Sequence, residues 1–214
     1  MAREYGHRRF AAMWSRSTAH EGRQQREARR RAVAGIEGRV LEIGFGVGTN
    51  WQYLPASVDR YVGIEPDRYM LQRAKVIPAP LAVRGGLVRA RAQELPFAAG
   101  TFDVVFATLT FCTIEDVPQA LAEIRRVLKP GGSFHFWEHV RPDGRVIGRL
   151  ADVVTPLWRR FGGGCHPNRR TVRAIEDAGF RIESLRRMNL GLVPMVIGSA
   201  KAGSGVAVPI LDPA

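Results

Sequence analysis

From residue 39 onward, short apolar runs alternate with segments whose apolar side chains recur every three or four positions. The runs at 39–43, 60–64, 102–107 and 133–138 have the length and near-continuous hydrophobicity of strands covered on both faces. A shorter run at 88–90 reads as one more strand. Between them, 50–54 predicts a helix stopped by Pro55, and 67–75 one with Met70, Leu71 and Ala74 on one face. Residues 117–127 predict another, with Leu121, Ile124, Val127 and Leu128 spaced for burial before the stop at Lys129-Pro130-Gly131-Gly132. Strand and helix alternating at this spacing imply an α/β fold, a parallel sheet with helices on both faces. Past residue 140 the rhythm loosens. An amphipathic helix at 145–161 is expected to break at Pro156, and a glycine-rich loop follows at 162–167. A helix at 170–178 then precedes two closing strands, 180–187 and 193–200, expected to run antiparallel, and a loose tail from 203. Upstream, 8–34 reads as helical, with Phe10, Met13 and Trp14 on one edge and then an Arg/Glu/Gln-rich stretch without an obvious buried stripe.

Length and composition fit one domain with a sizeable core: 214 residues, 45% hydrophobic and 24% charged. The polar, basic start offers no secretory signal, and no apolar stretch approaches the roughly 20 residues that span a bilayer, so a cytoplasmic protein is expected. The net charge of +12 changes the picture more. It favours anions, whether acidic substrates, anionic lipid surfaces or nucleic acid. Most of it is arginine scattered along the chain, and zinc-finger spacing, RNA-binding aromatic motifs and a Gly-Arg tail are all missing, which disfavours nucleic acid. The dense run Arg23, Arg26, Arg29, Arg30 and Arg31 reads first as a solvated helix face and second as a steering surface for a membrane or a substrate. Cys112 and Cys165 lie in no CxxC pair or metal-ligand spacing, so free, buried thiols and no metal site are expected.

The sharpest local signal is Glu42-Ile43-Gly44-Phe45-Gly46-Val47-Gly48-Thr49-Asn50, an apolar strand delivered into a glycine turn. Without Cβ atoms the backbone can turn sharply and lie against a ligand. No Gly-Lys-Ser/Thr follows, so a P-loop is excluded. Glu42 just before the glycines would repel a pyrophosphate but suits a cationic amino group. Glu65 ends the second strand, where a carboxylate can accept both hydroxyls of a ribose, a role that fits several nucleoside cofactors. Asp67 fits a helix N-cap. The segment Ala92-Gln93-Glu94-Leu95-Pro96-Phe97 could face an adenine edge, and Thr108-Leu109-Thr110 and Glu138-His139 end on the same rim.

Taken together, LEIGFGVGTN, YVGIEPD, RAQELPF, TFDVVFATLTF and LAEIRRVLKPGGSFHFWEHV resemble the class I S-adenosylmethionine (SAM)-dependent methyltransferases of the UbiE/COQ-like, type 11 group, over about residues 38–141. That resemblance implies a Rossmann-like seven-stranded sheet with an antiparallel last strand. It also implies SAM as cofactor, converted to S-adenosylhomocysteine. Glu42, Gly44, Gly46, Gly48 and Asn50 would hold the amino acid portion, and Glu65 with Pro66 the ribose. Ala92 and Gln93 would lie at adenine, and Thr108 and Leu109 at the methionyl end. The chain departs from the family at Arg91, often Asp or Ser there, and at Phe45, often Cys or Ser. The run 108–112, the Glu138-His139-Val140 piece and the Gly164-Cys165 turn are similar, further, to methyltransferase-like enzymes that methylate alkyl thiols, which implies a small thiol acceptor; O-, C- or N-methylation of a quinol, phenol, natural-product intermediate or lipid headgroup is the alternative, and a non-catalytic SAM-binding domain a further one. His139 would then be the acid–base group, or a packing histidine, with Glu138 orienting the wall. Tyr5, Trp14, Cys112, Cys165 and His166 would line the acceptor pocket. The implied organisation is a helical lid over 1–34, a SAM-binding domain over 35–201 and a tail over 202–214, as a monomer or homodimer with peripheral membrane contact left open.

Overall fold

The structure is a computed structural model and describes residues 7–74, 84–191 and 193–203. Its strands are β1 (Gly38–Ile43), β2 (Val58–Ile64), β3 (Arg84–Val88), β4 (Phe102–Thr108), β5 (Leu128–His139), β6 (Phe180–Leu190) and β7 (Val193–Ala202). Its helices are α1 (Arg8–Ala19), α2 (Arg23–Ala32), α3 (Arg68–Leu71), α4 (Val117–Val127), α5 (Arg145–Phe161) and α6 (Thr171–Asp177). The seven strands form one sheet in the order β3-β2-β1-β4-β5-β7-β6. The strands from β3 to β5 pair in parallel, and β7 runs antiparallel between β5 and β6. The expected seven-stranded α/β sheet with an antiparallel last strand is the one observed.

Successive side chains of a strand point to opposite faces, and both faces here are apolar. On β4, Val105 and Ala107 enter one core with Leu121, Ile124 and Ile175, whereas Val104 and Phe106 enter a second with Val33, Ile36 and Tyr61. A third cluster on the side of α2 joins Ala28 and Ala32 to Trp137, Met195 and Ile197. α4 begins on the Asp116 carboxylate, which accepts from the Gln119 N–H at 3.0 Å; Asp67 caps α3 as expected.

Four expectations change. The N-terminal region is two helices, because the chain breaks at residues 20–22 and restarts with the Gln25 side chain accepting from the Gly22 N–H at 2.7 Å. The segment after the glycine turn is only a short 3-10 turn, Trp51–Tyr53. The third strand lies upstream, at Arg84–Val88. α5 continues through Pro156, which removes a single backbone donor, while the Thr155 hydroxyl bonds back to the Ala151 carbonyl at 2.6 Å in the same turn. α5 also lies almost bare. Val146 is 81% exposed and Val153 77%, with Ile147, Leu150, Val154, Leu157 and Trp158 exposed beside them.

Candidate active site

A cavity of about 640 Å³ opens where β1, β2, β4 and β5 end, within the size of a typical cofactor and substrate site. It is lined by Gly44, Gly46, Asn50, Glu65, Pro66, Ala92, Gln93, Thr108, Leu109, Cys112, His139, Cys165 and His166, and roofed by His7, Phe10, Met13 and Trp14. The structure thus brings together most of the expected site residues. Tyr5 lies outside the described residues.

At the glycine turn, Gly44 has φ +72° and Gly46 φ +58°, both left-handed. A Cβ on Gly44 would run into the Thr110 side chain, whereas one on Gly46 would make only ordinary contacts, with Trp14 Nε1 at 3.8 Å and the Gly44 carbonyl at 3.9 Å. Glu65 ties this turn down: its Oε2 accepts from the Gly46 N–H and its Oε1 from the Asp67 N–H, both at 2.9 Å. Burial pushes the Glu65 carboxyl up to about 7 against those two donors. Leu109 sits at φ +57°, a strained conformation for a side chain of its size, held by a 2.8 Å bond from its N–H to the Trp137 carbonyl.

Glu42 and Gly48 do not line the cavity. Glu42 is 1% exposed and points from β1 toward the α2 side of the sheet, away from its neighbours Leu41 and Ile43. Its Oε1 accepts from Asn50 Nδ2 at 2.6 Å and its Oε2 from the Tyr61 hydroxyl. Burial raises it to about 7, opposed by those two bonds and by the charge of Arg29; burial, then Glu42, drives the Tyr61 phenol well above its ordinary value. Asn50 Nδ2 also donates to Thr108 Oγ1 at 2.7 Å. Glu42 therefore reaches the cavity through Asn50.

Sequence reasoning missed the residue that completes this network. Arg29, read as part of a solvated face, is 2% exposed and lines the cavity. Its Nη1 donates to Asn50 Oδ1 at 2.8 Å and to Thr108 Oγ1 at 3.1 Å. Its Nε and Nη2 clasp Glu21 at 2.9 and 2.6 Å, and its guanidinium lies 5.3 Å from the centre of the Trp137 ring. The signal that could have found it is modest: Ala28 and Ala32, one turn apart, mark the face on which α2 packs against the sheet, and Arg29 adjoins Ala28.

At the other end, Glu138 is fully buried and does not line the cavity. Its Oε1 accepts from the N–H groups of Thr110 and Phe111 at 2.9 and 3.1 Å, and burial raises it to about 7. It shapes the turn after β4. His139, in contrast, faces the cavity, and its Nδ1 lies 3.9 Å from Cys165 Sγ. Cys112, on the turn after β4, and Cys165, on the glycine loop after α5, are both buried free thiols. Of the two, Cys165 is the one that ionises more readily: the Cys112 thiol, His139 and the Trp158 side chain hold it below its usual value, and Cys112 is pushed well above. A ring nitrogen of His139 and the two Sγ atoms all lie within 4.8 Å of one another, a convergence that their distance in sequence gave no hint of. His166 fixes the loop, its backbone N–H donating to the Cys112 carbonyl at 2.8 Å. Trp158, Arg159 and Gly162 to Gly164 complete this wall.

Residues 41–136 match the family model of the methyltransferase domain. The human thiol S-methyltransferase TMT1B is 31% identical over 185 residues, covering 82% of this chain and 74% of that protein. Human thiol S-methyltransferase TMT1A is 31% identical over 153 residues, covering 69% of this chain but only 62% of its own length. Among solved structures, a SAM-dependent methyltransferase of Thermotoga maritima superposes with a TM-score of 0.66 at 22% identity, over 91% of this chain and 97% of that one. With this sheet order and these relatives, the chain belongs to the class I SAM-dependent methyltransferases.

Proposed function

We propose that the protein transfers the methyl group of SAM to the sulfur of a small thiol. The observation that carries this reading is the corner of Cys112, His139 and Cys165, which opens on the same cavity as the glycine turn. An alkyl thiol has an ordinary pKa of about 8.5 and reacts as thiolate, so a corner of soft and basic atoms suits it better than an amine or a carbon acceptor. The thiol S-methyltransferases among the relatives point the same way.

The residues present fit the cofactor. Glu65 is a carboxylate acceptor for a ribose diol, Ala92 and Gln93 bound the adenine end, and Gly46 leaves the approach of the amino acid portion free of a side chain. Gly44, Asn50 and Thr108 hold that portion, with Glu42 and Arg29 positioning Asn50 from behind. Bound there, the cofactor would supply its sulfonium methyl group to the acceptor sulfur, with S-adenosylhomocysteine as the leaving group. The chain aligns the two and excludes water. α1 serves as the cover, with the Phe10 ring packed directly over Gly163 of the acceptor loop. The acceptor's proton is lost at the thiol–imidazole corner. The test is turnover against alkyl thiols, aryl thiols, phenols, quinols and amines, read by mass spectrometry. Methylated alkyl thiols are expected; methylation confined to oxygen, nitrogen or carbon acceptors would sink the thiol assignment and leave the cofactor site standing.

We also assign the peripheral membrane contact to α5. No helix among the described residues is long and apolar enough to cross a membrane, but α5 lays Val146, Leu150, Val153, Leu157 and Trp158 open to solvent with Arg145, Arg149, Arg159 and Arg160 along it. An exposed apolar stripe edged by arginine suits the surface of an anionic bilayer. Sedimentation with phosphatidylserine vesicles is expected, and to be lost in Leu150→Glu/Val153→Glu. Equal binding of that variant would remove α5 from the contact.

A further inference from the structure

The Cys112–His139–Cys165 corner has a property that methyl transfer alone does not require. Its three donors come from three elements distant in sequence, the turn after β4, the end of β5 and the loop after α5, yet they converge within 4.8 Å. Each is held by its own backbone. The Cys112 carbonyl accepts from His166, His139 sits on the β5–β7 ladder opposite Met195, and the Cys165 N–H donates to the Gly162 carbonyl at 3.0 Å. Two sulfurs and one imidazole nitrogen are soft to borderline ligands, a set that selects zinc over magnesium or calcium.

We propose that Cys112, His139 and Cys165 bind one zinc ion whose fourth position opens on the cofactor cavity and takes the acceptor thiol. A tetrahedral zinc, with Zn–S about 2.3 Å and Zn–N about 2.0 Å, sets its donors about 3.5–3.8 Å apart. Cys165 Sγ and His139 Nδ1 stand at 3.9 Å, so closure on the ion needs donor movements of less than about 1 Å. All three residues line the cavity, which leaves that space for the fourth position. Three protein ligands and an open position distinguish a reactive zinc site from a structural one. Charge favours the same arrangement: two thiolates neutralise a divalent ion, and the surrounding Glu138 and Arg169 oppose one another.

This deepens the thiol reading and, in its chemical half, rests on it. The acceptor R–SH displaces zinc-bound water, binding as thiolate while its proton leaves with the solvent. The sulfur lone pair then forms the S–CH₃ bond as the methyl–sulfonium bond breaks, and that electron pair stays on the cofactor's sulfur. The neutral thioether is a weak ligand, and water replaces it. No electron passes to an outside acceptor.

The test uses the full chain, reduced, stripped with a chelator and titrated with cobalt(II) as a spectroscopic stand-in. One equivalent is expected to give thiolate-to-cobalt charge transfer and the intense visible bands of a tetrahedral site, and zinc to bleach them. Cys112→Ser and Cys165→Ser should each lose the signal while still binding SAM, which reports that they fold. Absence of the bands in the reduced wild type, or their survival in both serine variants, overturns the metal site. An alkyl thiol should shift the visible bands; a spectrum it leaves unchanged overturns the open position. Should the thiol shift the spectrum and yet not be methylated, the zinc site stands and the thiol reading of the enzyme falls.

Discussion

Arg29→Met lowers the stability of the protein by about 3–5 kcal/mol, the cost of leaving a buried charge without its partner. In a domain of this size that is a fall of roughly 6–20 °C in melting temperature. Glu21, 9% exposed, would keep its carboxylate with no guanidinium to clasp it, and Asn50 and Thr108 would each lose a donor. The effect reaches function because Asn50 lines the cavity and is the link to Glu42. Cofactor affinity should therefore fall together with stability. The double variant Arg29→Met/Glu21→Gln separates the two. Removing both charges should recover much of the melting temperature but little of the affinity, since Asn50 is still unsupported. Scanning calorimetry and titration calorimetry on the three proteins check this, and equal recovery of both quantities would reduce Arg29 to a structural ion pair.

Glu65→Ala should weaken SAM by on the order of 100-fold or more, because hydrogen bonds from a ribose diol to a carboxylate contribute about 1.5–3 kcal/mol each. It also releases the Gly46 N–H, so the glycine turn loses its anchor to β2. A pH signature accompanies the loss. Burial holds Glu65 near 7 in the unliganded protein, and hydroxyl donors favour the ionised form. Binding then expels a proton, so the affinity of the wild type should rise from pH 6 to about pH 8 and level off above. Glu65→Gln should show no such rise from this group. Stability of the unliganded protein moves the other way. A carboxyl whose folded value is raised stabilises the native state below about 4.5, and that contribution is lost as pH climbs through 7.

The sheet and the glycine turn at its carboxyl edge were legible because their signals are local. Runs such as 102–107 carry their own period, and a glycine turn behind an acidic strand end is written within ten residues. What escaped depends on long-range packing. Arg29 looks like any arginine of a charged helix, and only the docking of α2 against Trp137 and Asn50 turns it inward. Glu42 was legible as important but not as to its reach, because its pairing with Tyr61 depends on the register of β1 against β2. The resemblance set Cys112, His139 and Cys165 at one acceptor site but not in contact: they span more than fifty residues, and no spacing rule brings a β4 turn, a β5 end and a loop after α5 to one point. Pro156 misled in the opposite direction: a local breaker was overridden by the helix around it.

The antiparallel β7 has a consequence for how this chain reaches its native state. Its neighbour β5 is an interior strand of the finished sheet only because β7 pairs with it from Ser133 to His139. β6 and β7 are adjacent in sequence, turn at Gly191 and pair along their whole length, so this hairpin can form early from contacts of short range. Docking it onto β5 is a separate, later event. Until then β5 offers a bare row of N–H and C=O groups, a template for another chain as much as for its own. The half-formed protein is at its most aggregation-prone in that interval, and the imidazole of His139, at the end of that strand, has no fixed place until it ends.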